Sequence, residues 1–562
     1  MKRVLFYLAK MADASSSLRA KKIPDNLYDL CLTKLVHFLQ KSKYNRHVLR
    51  VLPDSTLMDV YSKMLQEKRL CILAAELSKW DTFERLLRFA GSHLQLLQCF
   101  QAVIEHGTKL STEVSNSYLG LCDAAERSPD SLIDLGLRVG GFLNDAGWYA
   151  DAERVLVRCR DICQSRPQTT YYKRLTLECC HRLLSTQSAY CCFPAAAKTY
   201  ALSLRLLGLG EDPSEAELRG PLAAAPGVDR AVQTDDDTFT CLERCTLTEA
   251  EGFCNVGRTA SWGITELVTR LFKEFSALFF VICDYDRAHA WGLRALRLLT
   301  PRSPLRITLE ACRACGKACV VKRRFREAGL LVRRAAALAP RRSAAAALAR
   351  LDLAFFLLNV DCIPHSVAGY EEALSQLRAI FGRCSLHVAA AQEDLAYALY
   401  VLEYSSGRFY QAREHAERAI RTMQNLVPQD HLLLASAKRV KALILEEIAL
   451  DTPPGHDLSE PNLLEESESL HKAALALSMS AFGEKNVQTA KHYGNLGRLY
   501  QSMQKFQDAE SMHLKAIAIK EELLGPDDYE VGLSIGHLAS LYNYHMNMHS
   551  AAEQLYLRSI GI

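Results

Sequence analysis

The sequence predicts an all-α fold, an α-solenoid of helical hairpins, and three observations carry that expectation. Residues 488–560 state one pattern twice: Leu496-Gly497 recurs as Leu538-Ala539 and Tyr500 as Tyr542, a period of 42 residues, the length of a repeated helical hairpin. An aromatic, then Ala three residues on, then a small residue seven further, recurs as Tyr149, Ala152, Cys159; Tyr285, Ala288, Ala295; Phe325, Ala328, Ala335; Phe409, Ala412, Ala419; and Phe506, Ala509, Ala516. Finally, Phe381-Gly382, Phe482-Gly483 and Leu524-Gly525 each place a glycine where a helix should end, which predicts a left-handed cap.

Helix neighbours lie three, four and seven residues apart, so Leu496, Gly497 and Tyr500 share one face of a first helix, and Phe506, Ala509 and Ala516 one face of a second. Small residues there let two backbones approach closely. No single hairpin can bury such a face alone, so the chain must supply neighbours.

Taken in order, residues 1–22 read as a disordered lead-in, with Met11 a possible second start. A helical amino-terminal region is expected over 23–125. Its first helix runs Asn26 to Leu39 with Leu27, Leu30, Leu35 and Phe38 apolar. Pro53-Asp54-Ser55 then starts a second helix with Leu57, Val60, Tyr61, Met64 and Leu65 on one face, since proline suits a first helical turn. That face is broad enough either to pack inward or to receive a partner helix.

The first hairpins are expected over 130–207, with a weak one from Tyr171 to Leu207. Residues 208–262, rich in Gly, Pro, Asp and Ser, read as a disordered insertion. The array resumes over 264–562, with Ala335 to Arg350 read as solvated helix and turn, and Thr452-Pro453-Pro454-Gly455 as a long loop. An array that stops part-way through a hairpin leaves apolar surface open, which makes self-association into a homo-oligomer physically reasonable.

A net charge of +4 over 562 residues argues against general nucleic-acid binding. Val4 to Leu8 is too short for an export signal, and no run approaches a membrane span. The 19 cysteines mostly sit inside apolar helical patterns, as expected of a reduced protein. Cys312, Cys315 and Cys319 share a helical face and read as core; Cys179-Cys180 with Cys191-Cys192 is weakened as a zinc site because adjacent helical residues point apart. The basic run Lys322, Arg323, Arg324, Arg326, Arg333, Arg334 reads as solvated surface. No phosphate loop or catalytic triad pattern occurs, so neither a catalytic function, a cofactor nor a metal is expected.

What remains is the concave wall that first helices line in such arrays. The polar residues beside its packing positions are Glu393 and Asp394; Lys438, Arg439 and Lys441; His492, Asn495 and Arg498; and Ser540 and Asn543. Arg, Asn and His offer donors to a peptide backbone or terminal carboxylate, and the acidic pair offers acceptors to a basic side chain.

Gly140 to Glu153 (GGFLNDAGWYADAE), His431 to Ile448 (HLLLASAKRVKALILEEI), Asn486 to Met503 (NVQTAKHYGNLGRLYQSM) and Gly536 to Tyr544 (GHLASLYNY) resemble the amyloid protein-binding protein 2 family, tetratricopeptide proteins related to kinesin light chain repeats. The resemblance runs from about Ile23 to Ile562, apart from 208–262. It implies tetratricopeptide-like hairpins with an amino-terminal elongin-binding helical segment near 51–60, where Leu52, Pro53, Thr56 and Val60 match the elongin box. It also implies a non-catalytic substrate receptor that joins elongin B/C to cullin-2 and captures C-terminal degrons with Arg followed three residues later by Gly. Val51 stands where the box usually has a small hydroxyl residue and Thr56 where it has Cys or an aliphatic one, and the cullin-contacting box is not locatable. The alternative implied function is a kinesin-light-chain-like adaptor tying the amyloid precursor protein tail, or other membrane cargo, to microtubules. The compartment implied is cytoplasmic, with nuclear, cytoskeletal or membrane-associated pools.

Overall fold

The computed structural model describes residues 25–41, 43–89, 91, 93–124, 127–210, 263–404, 406–451 and 462–562. The expected lead-in, nearly all of the 208–262 insertion and the Pro453-Pro454-Gly455 loop lie outside them. Among the described residues there are α-helices, one 3-10 helix and no strand.

The amino-terminal block comprises α1 (Asp25–Lys41), the 3-10 helix Lys43–Val51, α2 (Asp54–Gln66), α3 (Leu70–Leu77), α4 (Trp80–Arg88), α5 (His93–Glu105) and α6 (Leu110–Ala124). Leu27 and Leu30 prove exposed; α1 instead buries Leu32, Leu35, Val36 and Leu39. Hairpins follow in pairs: α7 (Pro129–Asp145) with α8 (Tyr149–Gln164), α9 (Thr170–Ala189) with α10 (Phe193–Leu207), α11 (Ile264–Val281) with α12 (Tyr285–Arg297), and α13 (Leu305–Val321) with α14 (Phe325–Leu338). Then come α15 (Ala344–Asn359) with α16 (Ile363–Phe381), α17 (Leu386–Glu403) with α18 (Tyr410–Leu426), α19 (Leu433–Asp451) with α20 (Leu463–Phe482), α21 (Val487–Ser502) with α22 (Phe506–Leu524), and α23 (Tyr529–Tyr544) with α24 (His549–Gly561).

The small residues sit at the helix crossings. Ala152, Ala288, Ala328, Ala412 and Ala509 are fully buried, as are Cys159, Ala295, Ala335, Ala419 and Ala516. A Cβ on Gly497 would come within 2.8 Å of the His513 ring, and one on Gly140 within 2.5 Å of Leu156. Ala335, Leu338, Ala347 and Ala349 are buried too, so the Ala/Arg-rich stretch is core around a short exposed turn, not solvated helix.

Six hairpins turn in the same way. Gly147, Cys191, Cys283, Arg323, Asp361 and Gln504 adopt φ between 55° and 85°, and the next residue's N–H returns to a carbonyl five residues back: Trp148 to Leu143, Cys192 to Gln187, Asp284 to Phe279, Arg324 to Cys319, Cys362 to Leu357 and Lys505 to Tyr500, all at 2.8–2.9 Å. This closure satisfies a helix-end carbonyl. It delivers Tyr149, Phe193, Tyr285, Phe325, Ile363 and Phe506 to the start of each second helix.

The glycines between hairpins differ from expectation. Gly382, Gly483 and Gly525 have positive φ, but their ψ values of −156°, −178° and 159° are extended, a region open essentially to glycine alone. Each sets a cap for the next helix three residues on: Ser385 accepts from Val388, Asn486 from Gln488 and Asp528 from Glu530.

The array winds tightly enough to touch itself. The first four hairpin turns each dock on the junction preceding the fifth hairpin after them, and Phe193 reaches one junction further. His387 Nε2 lies 3.1 Å from the Asp145 carbonyl oxygen, Tyr190 packs on His431 at 4.3 Å and Phe193 stacks on Phe482 at 5.0 Å. Asn486 donates to the Ile282 carbonyl at 3.1 Å, and the Arg323 guanidinium lies over the Tyr529 ring. The amino-terminal block joins the same seam, since Glu105 accepts from the backbone N–H groups of Arg383 and Cys384 at 2.5 and 2.7 Å.

Buried histidines make one end of this fold acid-labile. His471, His492 and His513 are buried, and burial holds their imidazoles down to about 3, with His537 at about 4. An unfolded histidine takes its proton near pH ~6.5, so the unfolded state binds protons first as pH falls; stability present above that pH is lost on acidification. Hydrogen exchange, corrected for intrinsic rates, should show α20–α23 losing protection between about pH 6.5 and 4.5, before α13–α15, which carry no histidine. His471→Leu should move that loss to lower pH.

Candidate functional site: the inner wall

Neighbouring first helices pack on one another in the sequences α9, α11, α13, α15 and α17, α19, α21, α23, apart from their own hairpin partners. They therefore form the inner wall, and the second helices the outer one. Their polar residues meet in protein-enclosed but solvent-reached surroundings.

Toward the amino-terminal end the charges are paired. Lys273 meets Glu274 at 2.5 Å and Glu310 at 3.3 Å, Arg306 meets Glu310 at 2.9 Å, and Arg270 meets Glu178 at 3.2 Å. Burial alone would raise the Glu310 carboxyl; Lys273 and Arg306 overcome it and hold it well below the usual range. Gly141 belongs here for a steric reason: its Cβ would lie 2.1 Å from the Arg182 guanidinium.

Midway, the balance tips toward acid. Asp352 on α15 is satisfied by Arg313 at 2.5 Å and Lys317 at 3.8 Å. On α17 the neighbouring Glu393 and Asp394 have no such close cation among the described residues. Asp394 is solvent-exposed and Glu393 half-buried; the crowding protein around them and repulsion from Glu393 raise the Asp394 carboxyl, and the same crowding raises Glu393, against the pull of Ser436 and Arg439. Arg439 spends its guanidinium on the Tyr397 ring, 5.3 Å to the centroid. The result is a pair of carboxyl groups short of positive charge.

Further along, Arg498 bridges Glu446 at 3.7 Å and Glu447 at 3.5 Å, Tyr400 donates to Glu447, and Ser502 donates to Glu446. The structure thus gathers Glu393, Asp394, Arg439 and Arg498 along one wall. It does not bring the other expected residues to it in the same way. Lys441 is turned toward the second helices, paired with Glu466 at 2.8 Å and Glu417 at 3.8 Å. His492 is 4% exposed and belongs to the core. Asn543 lies 3.1 Å from His549 at the last hairpin turn, and Lys438, Asn495 and Ser540 are half-buried. Asp352, Arg313, Lys317 and Tyr397 complete the site and were missed, although Tyr397 falls one helical turn after Glu393 and was legible on that ground.

The expected elongin box is also placed differently. Leu52, Thr56 and Val60 are 3%, 2% and 0% exposed, packed inside the amino-terminal block, and Pro53 is the N-cap of α2. Arg85 clamps this start, donating to Asp54 and to the Leu52 carbonyl. The apolar face therefore packs inward, in one core with Leu73, Phe83, Leu96 and Phe100 of the helices that follow. Val51, 80% exposed, is what α2's approach offers to solvent.

Repeated hairpins with a polar inner wall define a tetratricopeptide-type protein-interaction adaptor. A tetratricopeptide repeat model matches residues 463–522. Amyloid protein-binding protein 2 of Rattus norvegicus and that of Mus musculus are each 41% identical over 498 residues, covering 86% of this chain and 75% of theirs; the chain belongs to the amyloid protein-binding protein 2 family. Among solved structures, BtubC (BKLC) from P. vanneervenii aligns over 45% of this chain and 89% of its own at 23% identity and a TM-score of 0.31. A putative Podosopora anserina kinesin light chain aligns over 38% and 92% at 16% and 0.29, and a Rap protein complexed with competence and sporulation factor over 76% and 100% at 10% and 0.37. No described helix is long and apolar enough to cross a membrane.

The acidic pair carries a stability signature. A carboxyl raised in the fold binds its proton more tightly than the unfolded chain does, so stability falls as pH climbs from about 4 through the folded value. In urea titrations Asp394→Asn should be more stable than the parent at about pH 8, with the gap closing near pH ~4.

Proposed function

We propose that this chain is the substrate-recognition subunit of a cullin-2 elongin B/C ubiquitin ligase, holding the tail of a target protein along its inner wall while the amino-terminal block contacts elongin. The observation that supports tail capture is the Glu393–Asp394 pair. Two carboxyl groups crowded together without a close counter-ion gain from a cation, and an arginine side chain offers a planar fork to both. A tail with Arg followed three residues later by Gly supplies that cation and a stretch of backbone thin enough to pass the wall. Family membership supports the ligase part.

Two experiments test it. A labelled peptide ending in Arg-x-x-Gly should bind the chain, and Glu393→Gln with Asp394→Asn should weaken it at least about tenfold, whereas Lys441→Ala should leave it unchanged; equal binding by the double variant sinks the wall as the capture site. For the ligase part, elongin B/C should co-purify with the chain and be lost with Val51→Asp, a surface change that spares the core. Failure of the parent chain to retain elongin would leave an adaptor without a ligase.

A further inference from the structure

The hairpins α7/α8 and α9/α10 hold a group of side chains that tail capture does not use. Cys159 and Cys163 stand one turn apart on α8, and Cys179 faces them from α9. The Cys179 and Cys159 sulfurs are 3.5 Å apart, those of Cys163 and Cys179 4.0 Å, and all three lie within 4.8 Å of one another. Each of these residues is 0% exposed. For comparison, sulfur ligands about 2.3 Å from a tetrahedral centre are about 3.8 Å apart.

The repeat does not demand thiols here. At the position of Cys159 four other second helices carry Ala295, Ala335, Ala419 and Ala516, each fully buried. There a sulfur stands where the fold needs only a small side chain.

The surroundings restrict what the sulfurs can hold. Ile133, Leu137, Leu156 and Leu183 surround the sulfurs; the Tyr118 hydroxyl, already donating to the Leu132 carbonyl, and the Ile133 carbonyl are the polar groups beside Cys159. Among the described residues no fourth His, Cys, Asp or Glu joins the cluster, and Cys180 packs with the separate core around Leu184 and Leu271. Hard ions that want oxygen ligands are therefore excluded. Zinc wants a fourth ligand, which a dry apolar lining does not supply as water. Charge decides among soft ions: three thiolates around copper(I) leave two negative charges and around zinc one, each costly without a partner in an apolar core, whereas a trivalent centre leaves none.

We propose that Cys159, Cys163 and Cys179 form a three-thiol site for a trivalent thiophilic metalloid, arsenite being the simplest example. The exchange balances without an oxidant. Three As–S bonds replace the three As–O bonds of arsenous acid, each thiol proton leaves with one hydroxide as water, and arsenic stays trivalent. The bound centre would staple α8 to α9, joining the first hairpin to the second.

The test uses the reduced full chain and arsenite at about pH 7. One equivalent should survive desalting and raise the thermal midpoint. The triple variant Cys159→Ala, Cys163→Ala, Cys179→Ala, carrying the residue that the repeat uses at the first position, should lose that equivalent and the midpoint shift. Cys312→Ala, Cys315→Ala, Cys319→Ala should keep both. Should the triple variant not fold, as judged by circular dichroism, Cys163→Ala alone, at the end of α8, should weaken uptake at least about tenfold by removing one of three bonds. No tightly held equivalent in the parent, undiminished uptake in the folded triple or in the single variant, or displacement of arsenite by stoichiometric zinc or copper(I) would each overturn the assignment.

Discussion

The fold depends on one steric requirement: where two helices of a hairpin cross, a small side chain must stand at the contact. Ala152, Ala288, Ala328, Ala412 and Ala509 meet it early in the second helices, and Cys159, Ala295, Ala335, Ala419 and Ala516 meet it two turns later, all fully buried. Close backbones leave no room for slippage, so each hairpin inherits the angle of the last. Repeated at near-constant angle, that step winds the array until the turn of one hairpin reaches the junction before the fifth hairpin after it. The enclosure of the inner wall follows from the same cause.

Enclosure sorts the wall's charges by what they cost. Where acids and bases alternate, as in Glu178, Arg270, Glu274, Lys273, Glu310 and Arg306, they satisfy one another. Such balance leaves little for an incoming tail to gain. The Glu393–Asp394 pair breaks the balance, and Asp352 nearby has already taken Arg313 and Lys317. The uncompensated position is where a ligand's charge is worth most, since an ion pair formed there replaces repulsion and not merely solvent.

The hairpin period was legible in the sequence because the crossing requirement forces small residues to recur at fixed offsets. The turns were not. Cys191, Cys283, Arg323, Asp361 and Gln504 occupy the left-handed region without being glycine, at a cost of ~1–2 kcal/mol each, so the usual mark of such a turn is missing. The glycines that could be read, Gly382, Gly483 and Gly525, serve a different backbone state from the cap expected of them. For the wall, Glu393, Asp394, Arg439 and Arg498 followed from their place beside packing positions. Asp352 escaped because the alanine-rich stretch before it resembles solvated helix. The elongin-box residues show the converse limit: a motif matched in sequence says which side chains are apolar, and only packing says which way they face.

The later part of the seam is joined by few contacts, and that bears on how a chain could enter the wall. Within hairpins, contact runs the length of both helices. Across the seam the amino-terminal block and first hairpin share an apolar core with the later hairpins. Further along, the contacts are local: Asn486 at a carbonyl, Phe193 on Phe482 and Arg323 on Tyr529, each of a kind worth about 1 kcal/mol and each joining a different pair of hairpins. A small unwinding at one contact widens the wall locally while every crossing, with its buried alanine, stays intact. Under the proposed function, local breathing of this kind would let an extended tail reach Glu393 and Asp394 from the side, without threading from an open end.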